Sequence, residues 1–141
     1  MFRAVALLAV LATAGPALAA SETLKLAPNG HFMTRAEING RDVEVMVDTG
    51  ATAVALSFED AKHAGLRPYS LDFIVPVSTA NGTVHAARVT IRRIAIGSIR
   101  VKDVEGMVLP EGALRGSLLG MSFLSRLQSF KVEDGVLYLK N

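Results

Sequence analysis

From about residue 22 onward, apolar and polar residues mostly alternate, and turn-forming residues recur at short intervals. Alternation of period two predicts strands, because successive side chains point to opposite faces. Phe32–Ile38 and Val43–Val47 flank Asn39-Gly40, two residue types that tolerate the positive φ of a tight hairpin turn. Val43, Val45 and Val47 share one face of their strand, and Asp42, Glu44 and Met46 share the other. Ser57, three residues before Asp60, predicts the cap of a short helix that reaches about Ala64, with Gly65 as its stop. Leu71–Val77 reads as extended and leads into a hairpin over Ser78–Ala87, with Asn81-Gly82 at its middle. Val89–Ile91, Ile94–Ile96 and Ile99–Val104 follow as strands, with Gly97-Ser98 as a turn. A second brief helix is predicted over Ser122–Leu127. The chain then closes on a hairpin of Phe130–Glu133, Asp134-Gly135 and Val136–Leu139. Many short strands, two short helices and no strand–helix–strand rhythm predict a small all-β domain, closed or two-layered.

The first twenty residues break this pattern. Arg3 precedes an apolar run, Ala4–Ala12, then the breaker pair Gly15-Pro16 and the small-x-small triplet Ala17-Leu18-Ala19. That order predicts an export signal peptide over residues 1–19, since a signal peptidase pocket admits only small side chains. The run falls short of the roughly 20 apolar residues that a membrane helix needs. An uncleaved membrane anchor is the other reading of residues 1–20. Both place the body outside the cytoplasm, in the periplasm for a bacterial cell. Residues 20–30 read as a linker or strand, and residues 31–141 as one domain.

Charge and composition remove several functions. The 15 Lys+Arg include Arg3, and without it the basic and acidic counts differ by a single residue. A nucleic-acid binder shows a clustered basic footprint, so none is expected as a partner. Arg88, Arg92, Arg93, Arg100 and Lys102 form a local basic run that suits a solvated strand face. Zero cysteines exclude disulfides, thiolate zinc sites and a thiol nucleophile. His31, His63 and His85 are widely spaced, so neither a metal nor a cofactor is expected.

The candidate chemistry sits at Asp48-Thr49-Gly50. Val45-Met46-Val47 delivers the aspartate to the end of an apolar strand, and Ala51-Thr52-Ala53-Val54-Ala55-Leu56 carries the chain away again. A carboxylate held between apolar runs is costly unless it is hydrogen-bonded or shares a proton. The same tripeptide also suits a plain strand-ending turn, with Asp capping its own backbone. Two further segments bear on the choice. Leu118-Leu119-Gly120 can pass close beside the Asp48 loop, because glycine permits close backbone approach. The Thr79-Ala80-Asn81-Gly82 tip can close over a cleft and exclude water. Each also has a bland reading, as core and as a surface hairpin.

The order of these segments, Asp-Thr-Gly-Ala-Thr, then a Gly-tipped hairpin, then Leu-Leu-Gly-Met-Ser-Phe-Leu, resembles the retropepsin-like aspartic proteases, most closely their bacterial exported single-domain branch. The resemblance covers about residues 31–141. It implies a small closed β-barrel with one or two short helices that works as a homodimer on protein or peptide substrates. Asp48 would be catalytic, one from each copy, because the family's chemistry needs two carboxyl groups sharing a proton around one water. Thr49, Gly50, Ala51 and Thr52 would support the active-site loop, with Thr49 bonding across the twofold axis. Thr79, Ala80, Asn81 and Gly82 would form a flap over substrate. Leu118, Leu119 and Gly120 would form the second loop beside the active site. Val54, Ile74, Val84 and Leu118 are candidate apolar pocket walls. Ala51 departs from the two-lobed relatives, which often carry Ser there. Without that hydroxyl donor, activity is expected to extend toward weakly acidic or neutral pH. A peptide-binding module of the same fold, without cutting, is the competing expectation.

Overall fold

The computed structural model describes residues 19–141, so the export segment expected over residues 1–19 lies almost wholly outside the described residues. The first strand, β1 (Ser21–Lys25), pairs antiparallel with the last, β10 (Val136–Lys140), which in turn pairs with β9 (Ser129–Glu133). Ala20 and Asn141 exchange backbone hydrogen bonds of 3.1 and 2.8 Å beyond the end of this ladder. The two ends of the described chain are thereby fastened into one small sheet. Leu24, Leu137 and Leu139 turn its inner face onto the core.

The remaining strands build the barrel. β2 (Met33–Ile38) and β3 (Arg41–Val47) form the expected hairpin, with Asn39 at φ 50° and Gly40 at φ 82°. β8 (Ser117–Leu119) lies parallel to β3, and β4 (Val54–Leu56) joins β8 to β7 (Ile99–Val108). β6 (Gly82–Ile96) pairs along β7 and also meets β2 at Glu37 and Ile38, which closes six strands into a ring. Asn39 pins this closure: its N–H donates to the Arg93 carbonyl at 3.0 Å, and its side-chain oxygen accepts from Arg93 N–H at 3.1 Å. β5 (Val75–Thr79) pairs only with β6 and projects from the ring as a hairpin arm.

Ile38, Val45, Val54, Leu56, Ile91, Ile94, Val104, Leu119 and Phe123 are fully buried inside the ring. Each such side chain contributes about 1.5–3 kcal/mol by leaving water. The helix α1 (Phe58–His63) starts where expected: the Ser57 hydroxyl oxygen accepts from Asp60 N–H at 3.1 Å, and Gly65 ends the turn at φ 78°. The second helix, α2 (Met121–Leu124), is shorter than the expected Ser122–Leu127 and begins one residue earlier. Among the described residues, no helix is long and apolar enough to cross a membrane.

Three segments differ from the sequence expectation. β6 is one continuous strand and not three pieces, since the barrel's long-range pairing with β7 carries it through Arg92-Arg93. Leu71–Ile74 is not part of the β5 strand, which begins at Val75 after a single 3₁₀ turn at Pro68–Ser70. The flap turn centres on Ala80-Asn81, one residue earlier than expected, because Thr79 and Gly82 are the closing pair.

Candidate active site

β3 ends at Val47 and delivers Asp48 to a loop that is held from beneath. The Asp48 N–H donates to the Leu119 carbonyl at 3.1 Å, extending the parallel β3–β8 ladder by one bond. Gly50 N–H donates to Asp48 Oδ1 at 2.9 Å, and Ala51 N–H donates to the Asp48 carbonyl at 3.2 Å. The carboxylate is thus oriented by the backbone of its own tight turn, and its second oxygen is free of this bond. A Cβ on Gly50 would stand 3.1 Å from that bonded oxygen, so any side chain would crowd the carboxylate.

The exit from the loop is equally fixed. The Ala51 carbonyl accepts from Met121 N–H at 2.8 Å, at the start of α2. Val54 N–H donates to the Ser122 hydroxyl oxygen at 2.9 Å, and that hydroxyl donates to the Glu105 carbonyl on β7 at 2.6 Å. Gly120 lies directly beneath: a Cβ there would fall 2.7 Å from the Ala51 carbonyl oxygen and would overlap the Ala53 carbonyl. Leu118-Leu119-Gly120 therefore passes beside the Asp48 loop, in backbone contact that only glycine at position 120 allows. The sequence gives Ser122 no role beyond its place in Leu-Leu-Gly-Met-Ser-Phe-Leu and at the start of the expected helix; its tie to Val54 and Glu105 arises only in the fold.

Asp48, Gly50, Ala51 and Thr52 form one wall of a cleft of about 660 Å³, with Thr79 and Ala80 of the hairpin arm on another side and Leu118 in its floor. Among the described residues, Asp48 is the one acidic side chain that lines it. Thr49 lies outside this wall and is exposed, as are Asn81 and Gly82 at the tip of the arm. Leu119 and Gly120 are buried under the floor. In the arm, Thr79 Oγ1 accepts from Asn81 N–H at 3.2 Å and donates to the Gly82 carbonyl at 2.7 Å, while Gly82 takes φ 108°.

Three of the four expected apolar walls fall elsewhere. Val54 points into the barrel core at 0% exposure, Ile74 stands in solvent at 74%, and Val84 is half-buried away from the cleft. The reason is strand alternation. Val54 faces inward, so its neighbours Ala53 and Ala55 face the cleft, and Ile74 precedes the first paired residue of β5. The apolar lining comes from Val77, Met107, Leu109 and Leu114 with Leu118. Met107 and Leu109 are brought there by the parallel β4–β7 pairing, which no local pattern announces. Among the described residues, no group of three or more His, Cys, Asp or Glu side chains is placed to hold a metal ion.

The fold recurs in known proteins. The family described as "gag-polyprotein putative aspartyl protease" matches residues 34–126. The crystal structure of a retropepsin-like aspartic protease from Rickettsia conorii superposes with a TM-score of 0.78 and 34% identity, over 86% of this chain and 91% of that one. EIAV protease, solved with the inhibitor HBY-793, shares the fold at a TM-score of 0.55 and 20% identity, over 72% of this chain and 91% of its own. Among curated proteins, an uncharacterized protein from the cobV 5′ region of Sinorhizobium sp. is 46% identical over 113 residues, and one from Rickettsia prowazekii is 38% identical over 111. These matches take in 80% and 79% of this chain but 48% and 47% of the relatives, so the chain spans about half their length. By sequence and by fold, the chain belongs to the retropepsin-like aspartyl protease family.

Proposed function

We propose that this chain is an aspartic endopeptidase that works as a homodimer, with Asp48 of each copy supplying one of two carboxyl groups around a shared water. The observation that carries this reading is a backbone-oriented carboxylate lining a cleft to which no other described residue brings an acid. Thr49 and Gly50 beside it are exposed, where a second copy would meet them. One acid cannot act as base and acid in the same step. A twofold copy supplies the missing group without any further residue.

In the proposed reaction, one carboxylate accepts a proton from the water as its oxygen attacks the peptide carbonyl carbon. The other, protonated, donates to the carbonyl oxygen as negative charge develops there. Collapse of the tetrahedral species breaks the C–N bond, and the leaving amine takes a proton from the dyad. The substrate would lie extended along β5, whose outer edge has no strand partner among the described residues, and pair its backbone with that edge. Val77, Met107, Leu109 and Leu114 would receive apolar side chains beside the scissile bond.

Incubation with an unfolded protein from acid to neutral pH, beside Asp48→Asn, tests the reading. Cleavage by the first and not the second is expected. Intact substrate with both would favour a peptide-binding module. Residues 1–20 carry the accompanying proposal that the enzyme acts outside the cytoplasm. N-terminal sequencing of exported material would show whether that segment is removed or kept as an anchor.

A further inference from the structure

We infer that an aromatic groove at the foot of the hairpin arm takes an apolar or aromatic side chain of an extended substrate, four residues away from the side chain seated in the Asp48 cleft. The inference rests on the protease reading and adds what the substrate carries away from the scissile bond. The groove holds about 300 Å³, and its walls include Phe58, Pro68, Tyr69 and Phe73.

One run of chain covers both cavities. From Leu71 to Ala80 the burial alternates: Leu71, Phe73, Val75, Val77 and Thr79 are half-buried, and the residues between them are exposed. These five therefore share the underside of the arm and of the segment that leads into it. Val77 and Thr79 line the cleft, whereas Leu71 and Phe73 line the groove. A second segment is shared in the same way. Leu109 lines the cleft, and the next two residues, Pro110 and Glu111, line the groove. The two cavities are thus neighbours beneath one extended stretch. A peptide paired with the outer edge of β5 turns every second side chain toward that underside. Val77 and Phe73 are four residues apart, roughly 13 Å of extended chain, so peptide residues i and i+4 reach the cleft and the groove together.

The chemistry of the groove suits an apolar guest. Phe58 is buried, the Tyr69 ring meets it edge-on at 5.1 Å, and the Phe73 ring lies 6.2 Å from it. Rings at these spacings can take a further aromatic edge or face. Tyr69 is nonetheless 75% exposed, more than any other large hydrophobic side chain among the described residues. A ring kept in water beside an aromatic cavity is surface that a bound chain would cover. Lys62 Nζ stands 5.7 Å from the centre of the Tyr69 ring, which engages that ammonium and braces the ring from α1. Among the described residues, Glu111 is the one charged side chain that lines the groove, and it repels an acidic guest.

Synthetic peptides and the full chain provide the test. The parent peptide carries a central Leu with Phe four residues to either side, in a Ser-Thr-Gly background; its companions carry Ala or Asp in place of both Phe residues. Exchanging Phe for Ala should lower kcat/KM about tenfold, chiefly through KM, and Asp should lower it further. Tyr69→Ala should impose a similar loss on the Phe peptide and almost none on the Ala peptide, because both changes remove the same contact. Tyr69→Phe should restore the wild-type ranking. Glu111→Lys should place the Asp peptide ahead of the Ala peptide, the reverse of wild type. Both side chains are exposed, so these changes leave the core intact. A wild type that cuts all three peptides equally, or a ranking that survives both Tyr69→Ala and Glu111→Lys, would overturn the inference and leave the protease reading standing. Fluorescein-labelled forms titrated against Asp48→Asn by anisotropy separate the two claims. If wild type cuts neither the peptides nor an unfolded protein, while Asp48→Asn still binds Phe over Ala over Asp, the groove stands and the protease reading falls. Absent or equal binding of the three would remove the groove whatever the cleavage result.

Discussion

Gly120 sits against the Ala51 and Ala53 carbonyls with no room for a side chain, so the floor beneath the Asp48 loop is backbone packed on backbone. Gly120→Ala should therefore push the Asp48 loop away from α2. The expected cost is about 1–3 kcal/mol of stability, as for other overpacked interiors. Thermal melts of the variant, with cleavage measured well below its midpoint, would show both the loss of stability and a loss of activity. A variant as stable and active as wild type would mean that the loop relaxes freely.

Ser122 ties the same loop to β7 through one hydroxyl that accepts from Val54 N–H and donates to the Glu105 carbonyl. Ser122→Ala leaves a half-buried N–H without its partner, at about 1–3 kcal/mol. Denaturant unfolding should show this loss, and Ser122→Thr should recover much of it. An unchanged midpoint for the alanine variant would show that the bond contributes nothing net.

Glu22 on β1 accepts from the Ser98 N–H at 2.7 Å and from its hydroxyl at 2.9 Å, in the turn between β6 and β7. The Ser98 N–H first, and its hydroxyl second, hold this carboxyl below its ordinary value of 4.5. A carboxyl depressed in the folded state adds stability that is present above its unfolded value and is lost as pH falls through the folded one. Attachment of β1 to the β6–β7 turn should thus weaken below about pH 4.5. Amide exchange of Ser21–Lys25 should quicken on acidification in wild type and depend less on pH in Glu22→Gln. Equal acid sensitivity in both would assign the effect to other groups.

Ala51 lines the cleft beside Asp48 and offers it no side-chain donor. Ala51→Ser adds a hydroxyl next to the carboxylate, and a donor to the charged form favours that form. The acidic limb of the rate profile should then lie at lower pH in the variant than in the wild type. An unshifted profile would mean that the new hydroxyl turns away from the carboxylate.

Features whose cause is local were legible in the sequence. Asn39-Gly40, Asp134-Gly135 and the Ser57 cap form where expected, because turn and cap chemistry acts over a few residues. The Asp48 segment stood out for the same reason, with apolar residues on both sides of a carboxylate. The less legible parts depend on distant partners. β4 and β8 are three residues each, too short to show a period, and they exist because β3 and β7 pair with them. β6 hides its continuity at Arg92-Arg93, where two exposed residues interrupt the alternation and Asp103, opposite in the register, takes φ 53°. The cleft walls were misassigned at Val54, Ile74 and Val84 because the facing of a strand follows its pairing. β1 finds its partner at the far end of the chain.

The central claim is that each catalytic centre draws one Asp48 from each of two chains. Mixing wild type with Asp48→Asn at fixed total protein, after full subunit exchange, measures this directly. If both carboxyl groups are needed, cleavage falls with the square of the wild-type fraction, because only dimers with two wild-type chains cut. A fall in simple proportion to that fraction would show that one Asp48 suffices, and would contradict the account.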